Sequence, residues 1–240
     1  MPAEEMEVTP LTYECGIGGV MHPHSVMHRL QELASRHAEV LGFGMSWMKR
    51  EKVYWVLINF RMEWERLPVF GERVTMCTWP SGWDSIKALR EFTCTDESGV
   101  TIFRAGSEWM VIDAVSGKVR TPEELEFDFE LGKERALGDL KRLLPIHRYE
   151  LLEEMVVPYS SLDINEHVNN TEYVRWGTDA ARRAAGKVLE MRWMHISFNA
   201  QVFEGQRLSL FASVEDVLTA VKGVRKEDKK NVFLMEVGGP

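Results

Sequence analysis

In the segment SLDINEHVNNTEYVRW, residues 161–176, a carboxylate, an amide and an imidazole occupy alternate positions: Asp163, Asn165 and His167. Alternate side chains of an extended chain project to one side, so this spacing predicts that all three converge on a common face. A helix is expected to begin near Val168 to Asn170, and its first N–H groups and positive dipole end would lie beside the trio. A carboxylate can act as general base on water or as a nucleophile, and an imidazole can move protons. Helix-start N–H groups can stabilise a developing oxyanion, where one lost donor costs on the order of 3 kcal/mol. That inventory meets the needs of a hydrolase acting on an acyl bond. The same residues also have a plainer use, since Asp163 and Asn165 are common in turns and helix caps. Spacing alone favours the plainer use.

The elements that would position this segment recur in order along the chain. Residues 25–41 place Val26, Leu30, Leu33, Ala34, Ala38 and Leu41 on one helical stripe, with Gly42 as a stop signal. Residues 53–65 read as a half-buried strand, with Tyr54, Val56, Ile58, Phe60, Met62 and Trp64 on one face and Asn59, Arg61 and Glu63 on the other. Strands are predicted at 73–79, 85–95 and 101–113, the last two flanking the turn Asp96–Gly99. The second half repeats this order: a short strand at 154–159, a helix through 169–184, then strands at 191–201, 207–216, 218–226 and 231–237. LPVFGERVTMCTW and QVFEGQRLSLFAS also lie over each other with a one-residue offset, which suggests duplication and fusion. One helix followed by an antiparallel meander, twice, is an α+β pattern. Between the halves, residues 114–147 read as a crossover in which 125–130 could add an extended stretch and 134–144 a short helix.

The residues 161–176 are similar to the D-x-N-x-H-V-N-N-x-x-Y signature of acyl-ACP thioesterases, the family of plant plastid enzymes and their bacterial relatives. RHAEVLGFG, the stretch from Tyr54 through the "TWPSG" turn to Phe92, and RAGSEWMVID resemble the same family, so the likeness spans nearly the whole chain. The resemblance implies a double hotdog fold. An N-terminal hotdog at 1–130 would bind the acyl chain, 131–150 would link, and a catalytic C-terminal hotdog would span 151–240. It further implies hydrolysis of the thioester of a fatty acyl chain on its carrier protein, with Asp163 as general base or nucleophile. Asn165 would orient water or the thioester oxygen, and His167 would polarise that network and help protonate the leaving thiolate. Asn169 and Asn170 remain caps. Gln201 falls where many relatives carry a Glu supporting the catalytic His; Gln can hydrogen-bond an imidazole but cannot stabilise its cation by charge. Glu166 or Glu204 could supply that carboxylate instead. A tunnel between helix and sheet of the first half would take the acyl chain, with Met27, Leu30, Trp55, Leu57 and Trp109 as lining candidates, although large apolar residues are more often plain core.

Other chemistries fare worse. No GxSxG elbow occurs. Cys15, Cys77 and Cys94 lack any metal-ligand spacing and read as reduced, packed thiols, consistent with the cytoplasm. His22, His24, His28 and His37 lack acidic or thiolate partners at suitable spacing, so no metal and no cofactor is expected; His24 reads as a degenerate copy of His167. A net charge of −8 argues against a nucleic-acid partner. No apolar run reaches membrane-spanning length. An acidic carrier would therefore dock on a local basic patch, drawn from Lys87, Arg90, Arg182, Arg183 or the run 222–230. Alternatives are an acyl-CoA thioesterase of the hotdog type and a weakly active or non-catalytic acyl-binding protein. The fused halves leave monomer and homodimer both open.

Overall fold

A computed structural model describes residues 3–125, 134–186 and 189–239. The chain divides into two compact units, Met1–Leu140 and Lys141–Pro240, a boundary inside the expected linker.

In the first unit, α1 spans Pro23–Val40 and buries Val26, Met27, Leu30, Leu33, Ala34 and His37 along one stripe. Pro23 suits the first helical position, where its missing N–H costs no intrahelical bond, and Gly42 closes the end at φ 83°. Burying each such Leu or Met contributes about 1.5–3 kcal/mol, so packing rather than propensity holds the helix. Its partner is an antiparallel sheet of β1 (Glu4–Val8), β2 (Val53–Trp64), β3 (Val74–Asp84), β4 (Lys87–Asp96) and β5 (Thr101–Asp113), ordered β1-β3-β4-β5-β2. The two-residue β6 (Val119–Arg120) pairs with β5; two short helices, α2 (Met45–Glu51) and α3 (Pro122–Leu125), and 3₁₀ turns at Thr12–Glu14 and Ile17–Gly19 complete the described elements.

Two departures from expectation share a cause in backbone irregularity. β2 carries a register shift between Leu57 and Asn59, which reverses the inward phase at Ile58. Val53, Leu57, Phe60, Met62 and Trp64 are therefore buried, whereas Tyr54, expected inside, is exposed. TWPSG is not a turn: it continues β3 through a shift between Pro80 and Gly82, a place where a sheet tolerates proline. The chain reverses later, at Asp84–Lys87, where Ser85 has φ 56°. β1 gave no sequence signal because its glutamates occupy an edge strand, where charge is favoured.

The expected helix over 134–144 is absent. Instead Ala136 N and Arg135 Nε donate to the buried Glu91 carboxylate at 3.0 and 3.3 Å, and Trp79 Nε1 donates to Glu134 O at 2.7 Å. These polar groups are tied to the sheet instead of to a helical ladder. The expected extended stretch at 125–130 lies outside the described residues beyond Leu125.

In the second unit, β7 (Glu150–Val156) precedes α4 (Asn170–Ala185), followed by β8 (Trp193–Phe198), β9 (Arg207–Val214), β10 (Leu218–Arg225) and β11 (Asn231–Gly238). The sheet is antiparallel and ordered β8-β11-β10-β9-β7. α4 buries Tyr173, Val174, Trp176, Ala180 and Ala181 and packs on β9, β10 and β11. At Gly177 a Cβ would meet Met235 Sδ at 2.3 Å, so a larger residue there would make the Met235 side chain move. No helix among the described residues is long and apolar enough to cross a membrane.

Candidate active site

The polar trio precedes α4, but not on an extended chain. After a 3₁₀ turn at Tyr159–Ser161, Leu162 and Val168 form an antiparallel bridge, and the intervening residues fold back. Asp163 N donates to His167 O at 2.8 Å and Glu166 N to Asp163 O at 3.1 Å, with Glu166 at φ 61°. The Asp163 carboxylate braces this turn, accepting from Asn165 N at 2.8 Å and from His167 N at 3.4 Å. The expected alternation is thus replaced by a tight turn because these donors satisfy themselves locally. Asp163 and His167 still come together, opposite one another across the turn, while Asn165 sits exposed at its tip. Among the described residues, none of the three side chains hydrogen-bonds another. Asn169 caps α4, its Oδ1 accepting from Thr171 N at 3.0 Å.

A second loop closes over this turn. Val202 O accepts from Val168 N at 3.1 Å, and the Phe203 ring meets the His167 imidazole edge-on with centroids 5.1 Å apart. Tyr173, buried on α4, hydrogen-bonds the Val202 backbone, and burial pushes its phenol pKa well above the usual range. Arg225, paired with Asp228, donates from Nη1 to Gln201 O at 2.7 Å. Gln201 is held by its backbone; its side chain is exposed and makes no hydrogen bond to His167. Tyr173 closes the signature that begins at Asp163, whereas Arg225 was not singled out by sequence because it reaches this loop through Gln201 O, 24 residues away in the chain.

The first unit makes the same backbone hydrogen bonds from different residues, with Gly18 at φ 80° where Asn165 has no positive φ. A 3₁₀ turn at Thr12–Glu14 leads into a Cys15–Met21 bridge, and Gly16 N donates to Val20 O at 2.9 Å, as Asp163 does to His167. Gly19 N donates to Gly16 O at 3.0 Å with Gly19 at φ 75°, as Glu166 does to Asp163. His22 N donates to Glu14 O at 2.9 Å, matching Asn169 N to Ser161 O at 2.9 Å. The segment Gly16-Ile17-Gly18-Gly19-Val20 therefore corresponds position by position to Asp163-Ile164-Asn165-Glu166-His167. This corrects the reading of His24 as the counterpart of His167. His24 lies inside α1, stacked on His22 at 5.1 Å, because the helix starts at Pro23, and Val20 takes the equivalent place.

Of the slot candidates, Met27 and Leu30 on α1 and Leu57 on β2 are buried, while Trp55 and Trp109 are half-buried. Leu57 pairs directly with Trp109 across the sheet, and Trp55 Nε1 donates to Phe43 O at 3.0 Å. All five belong to the first unit. Arg90, expected on a docking surface, instead points inward, with Nη1 3.2 Å from His37 Nδ1 on α1 and 3.2 Å from Thr78 Oγ1. Other docking candidates are neutralised: Lys87 pairs with Asp84 and Glu108 at 2.7 and 2.9 Å, Arg183 with Glu153, and Lys226 with Glu154. Arg182 is exposed on α4. Burial pushes the Cys94 thiol up to about 12 and raises Cys77, so neither is a ready thiolate. No group of three His, Cys, Asp or Glu among the described residues is placed to hold a metal ion.

Two helix-and-antiparallel-sheet units in tandem, with an Asp–Asn–His turn at the head of the second helix, define a double hotdog protein. Residues 3–126 match the model of the acyl-ACP thioesterase N-terminal domain and residues 147–233 that of the C-terminal domain, and the chain belongs to the acyl-ACP thioesterase family. It is 27% identical over 185 residues to a chloroplastic palmitoyl-acyl carrier protein thioesterase of Arabidopsis thaliana, covering 71% of this chain and 45% of that protein. It is 25% identical to the chloroplastic oleoyl-acyl carrier protein thioesterase 1 of the same plant, covering 69% and 51%. The chain thus spans about half the length of these curated relatives. Among solved structures, an acyl-ACP thioesterase from Bacteroides thetaiotaomicron superposes with a TM-score of 0.89 at 20% identity, over 99% of this chain and 97% of that one. The 12:0-ACP thioesterase from Umbellularia californica gives 0.83 at 19% identity, with the same coverage of both chains.

Proposed function

We propose that this chain hydrolyses the thioester of fatty acyl-ACP to free fatty acid and the carrier's thiol, with the first unit binding the acyl chain and the second carrying the chemistry. One observation supports this above the rest. The backbone turn that holds Asp163, Asn165 and His167 also forms in the first unit with Gly16, Gly18 and Val20 at those places. A carboxylate, an amide and an imidazole are therefore not needed to make the turn, and their presence in the second copy calls for a chemical reason. Asp163 takes a proton from water as that water attacks the thioester carbonyl, or attacks the carbonyl itself as a carboxylate. Negative charge collects on the carbonyl oxygen beside the start of α4. The C–S bond then breaks, and His167 helps deliver a proton to the departing thiolate while Asn165 orients the attacking oxygen. In the carboxylate-attack route a water molecule subsequently hydrolyses the mixed anhydride. The three free cysteines support a reducing setting, the cytoplasm.

A second reading has one observation in its favour: the exposed Gln201 amide gives His167 no hydrogen bond, which suits a weakly active or non-catalytic acyl binder. The same acyl chain presented on ACP and on CoA separates the options. Release of free acid from ACP, lost in Asp163→Ala and His167→Ala, establishes the first reading. Faster turnover on CoA makes the protein an acyl-CoA thioesterase, and retention of intact acyl-ACP makes it a binder.

A further inference from the structure

Between α1 and the sheet of the first unit, Arg90 brings a charged side chain into a largely apolar layer. Arg90 projects from β4 on the same face as Phe92, which packs against Phe60 at a centroid separation of 6.5 Å. Its Nη1 lies 3.2 Å from both His37 Nδ1 and Thr78 Oγ1, and no carboxylate among the described residues pairs with it. A guanidinium carries five N–H donors, and Nε and Nη2 make no hydrogen bond to a described residue. The residue is not sealed off, because part of its surface stays accessible. Burial pushes its pKa down to about 10, which leaves it charged at neutral pH. The strand pairing sets Ser107 opposite Arg90, and Ser107 Oγ donates to Arg90 O at 3.2 Å while accepting from Trp109 Nε1 at 2.8 Å. The pairing therefore puts Arg90 on the same face of the sheet as Trp109 and its partner Leu57.

We infer that Arg90, backed by Thr78 and His37, is a polar subsite of the acyl slot that selects chains bearing a hydroxyl or keto oxygen. This rests on the reading that the first unit binds the acyl chain. A plain alkyl chain leaves three guanidinium N–H groups, on Nε and Nη2, unmatched, whereas a chain oxygen accepts from them, and bonds to charged groups are the stronger class. Across a series of acyl-ACPs of increasing length, each offered plain and with a hydroxyl near the chain end, one hydroxylated member should exceed its plain counterpart in kcat/KM by about tenfold. Arg90→Met should bring that ratio down to about one. Quenching of tryptophan fluorescence by the free fatty and hydroxy fatty acids reads the same preference without catalysis. Should Arg90→Met not fold, the wild-type ratio and Thr78→Val, which leaves Nη1 short of an acceptor, carry the test. Equal handling of plain and hydroxylated chains by wild-type protein in both assays overturns the subsite, as does a preference that survives in folded Arg90→Met. Absence of hydrolysis on every acyl-ACP, with the binding preference intact, would instead count against the thioesterase reading alone.

Discussion

Replacing Asp163, Asn165 and His167 by their first-unit counterparts, as Asp163→Gly, Asn165→Gly and His167→Val together, separates folding from chemistry. On the folding side, the triple variant loses the carboxylate bond from Asn165 N at 2.8 Å and the weaker one from His167 N at 3.4 Å, with a net worth of about 1 kcal/mol for the stronger. The two glycines add roughly 0.5–1 kcal/mol each in backbone entropy. Losing the His167 edge on Phe203 costs up to about 1 kcal/mol more, part of which valine recovers. The cost is a few kcal/mol, or a fall in Tm of about 5–15 °C for a chain of this size. The turn itself survives, since Gly16–Val20 makes the same backbone bonds. On the chemical side, removing the general base and the proton donor should lower kcat by a factor of about 10²–10⁴, equivalent to roughly 3–5 kcal/mol of barrier. Free fatty acid release from acyl-ACP and a thermal melt of the same sample measure both. A folded triple variant that hydrolyses within threefold of wild type refutes the assignment. One that does not fold refutes the equivalence of the two turns.

Two further outcomes follow from the same geometry. Glu166 occupies φ 61°, where a residue other than glycine bears roughly 1–2 kcal/mol of strain, so Glu166→Gly should raise Tm by about 1–4 °C in a thermal melt once glycine's own entropy is subtracted. His147 is held between Glu215 and Glu236 at 2.7 and 3.0 Å; burial pulls its pKa down, the two carboxylate bonds outweigh it, and the net shift is upward. A raised folded pKa means the stabilisation is full below about pH 6.5 and is lost as pH rises through the folded value, so Tm should fall between about pH 6 and 9 by more in wild type than in His147→Gln.

How far the sequence could be read depended on whether the backbone stayed regular. The stripe from Val26 to Ala34 and the alternation Phe60, Met62, Trp64 were legible because a helix of 3.6 residues per turn and a strand of period two convert directly into burial. Ile58 was misplaced because one inserted residue reverses the phase of everything before it, and nothing in the residue types marks the insertion. Pro80 looked like a turn because proline usually ends a strand, yet the shift beside it lets β3 continue. Arg90 read as surface because arginine usually is; only the pairing of β4 with β3 and β5 turns it toward α1.

The trio shows the same limit in a more instructive form. Its residue types were legible, but its geometry was assigned to an extended chain, whereas the Asp163 carboxylate spends part of its hydrogen-bonding capacity on Asn165 N and His167 N. The turn-forming and chemical uses of Asp163 are thus compatible, since a carboxylate has about four acceptor sites and the turn takes two. Bracing by two N–H donors also fixes the carboxylate's orientation, which a proton acceptor aimed at a single water requires. The first unit supplies the comparison that a lone sequence motif lacks: Gly16 reaches the same backbone bonds with no side chain at all. What the second copy adds, at a cost in strain at Glu166, is a carboxylate, an amide and an imidazole beside the capped start of α4, the set that the proposed hydrolysis uses.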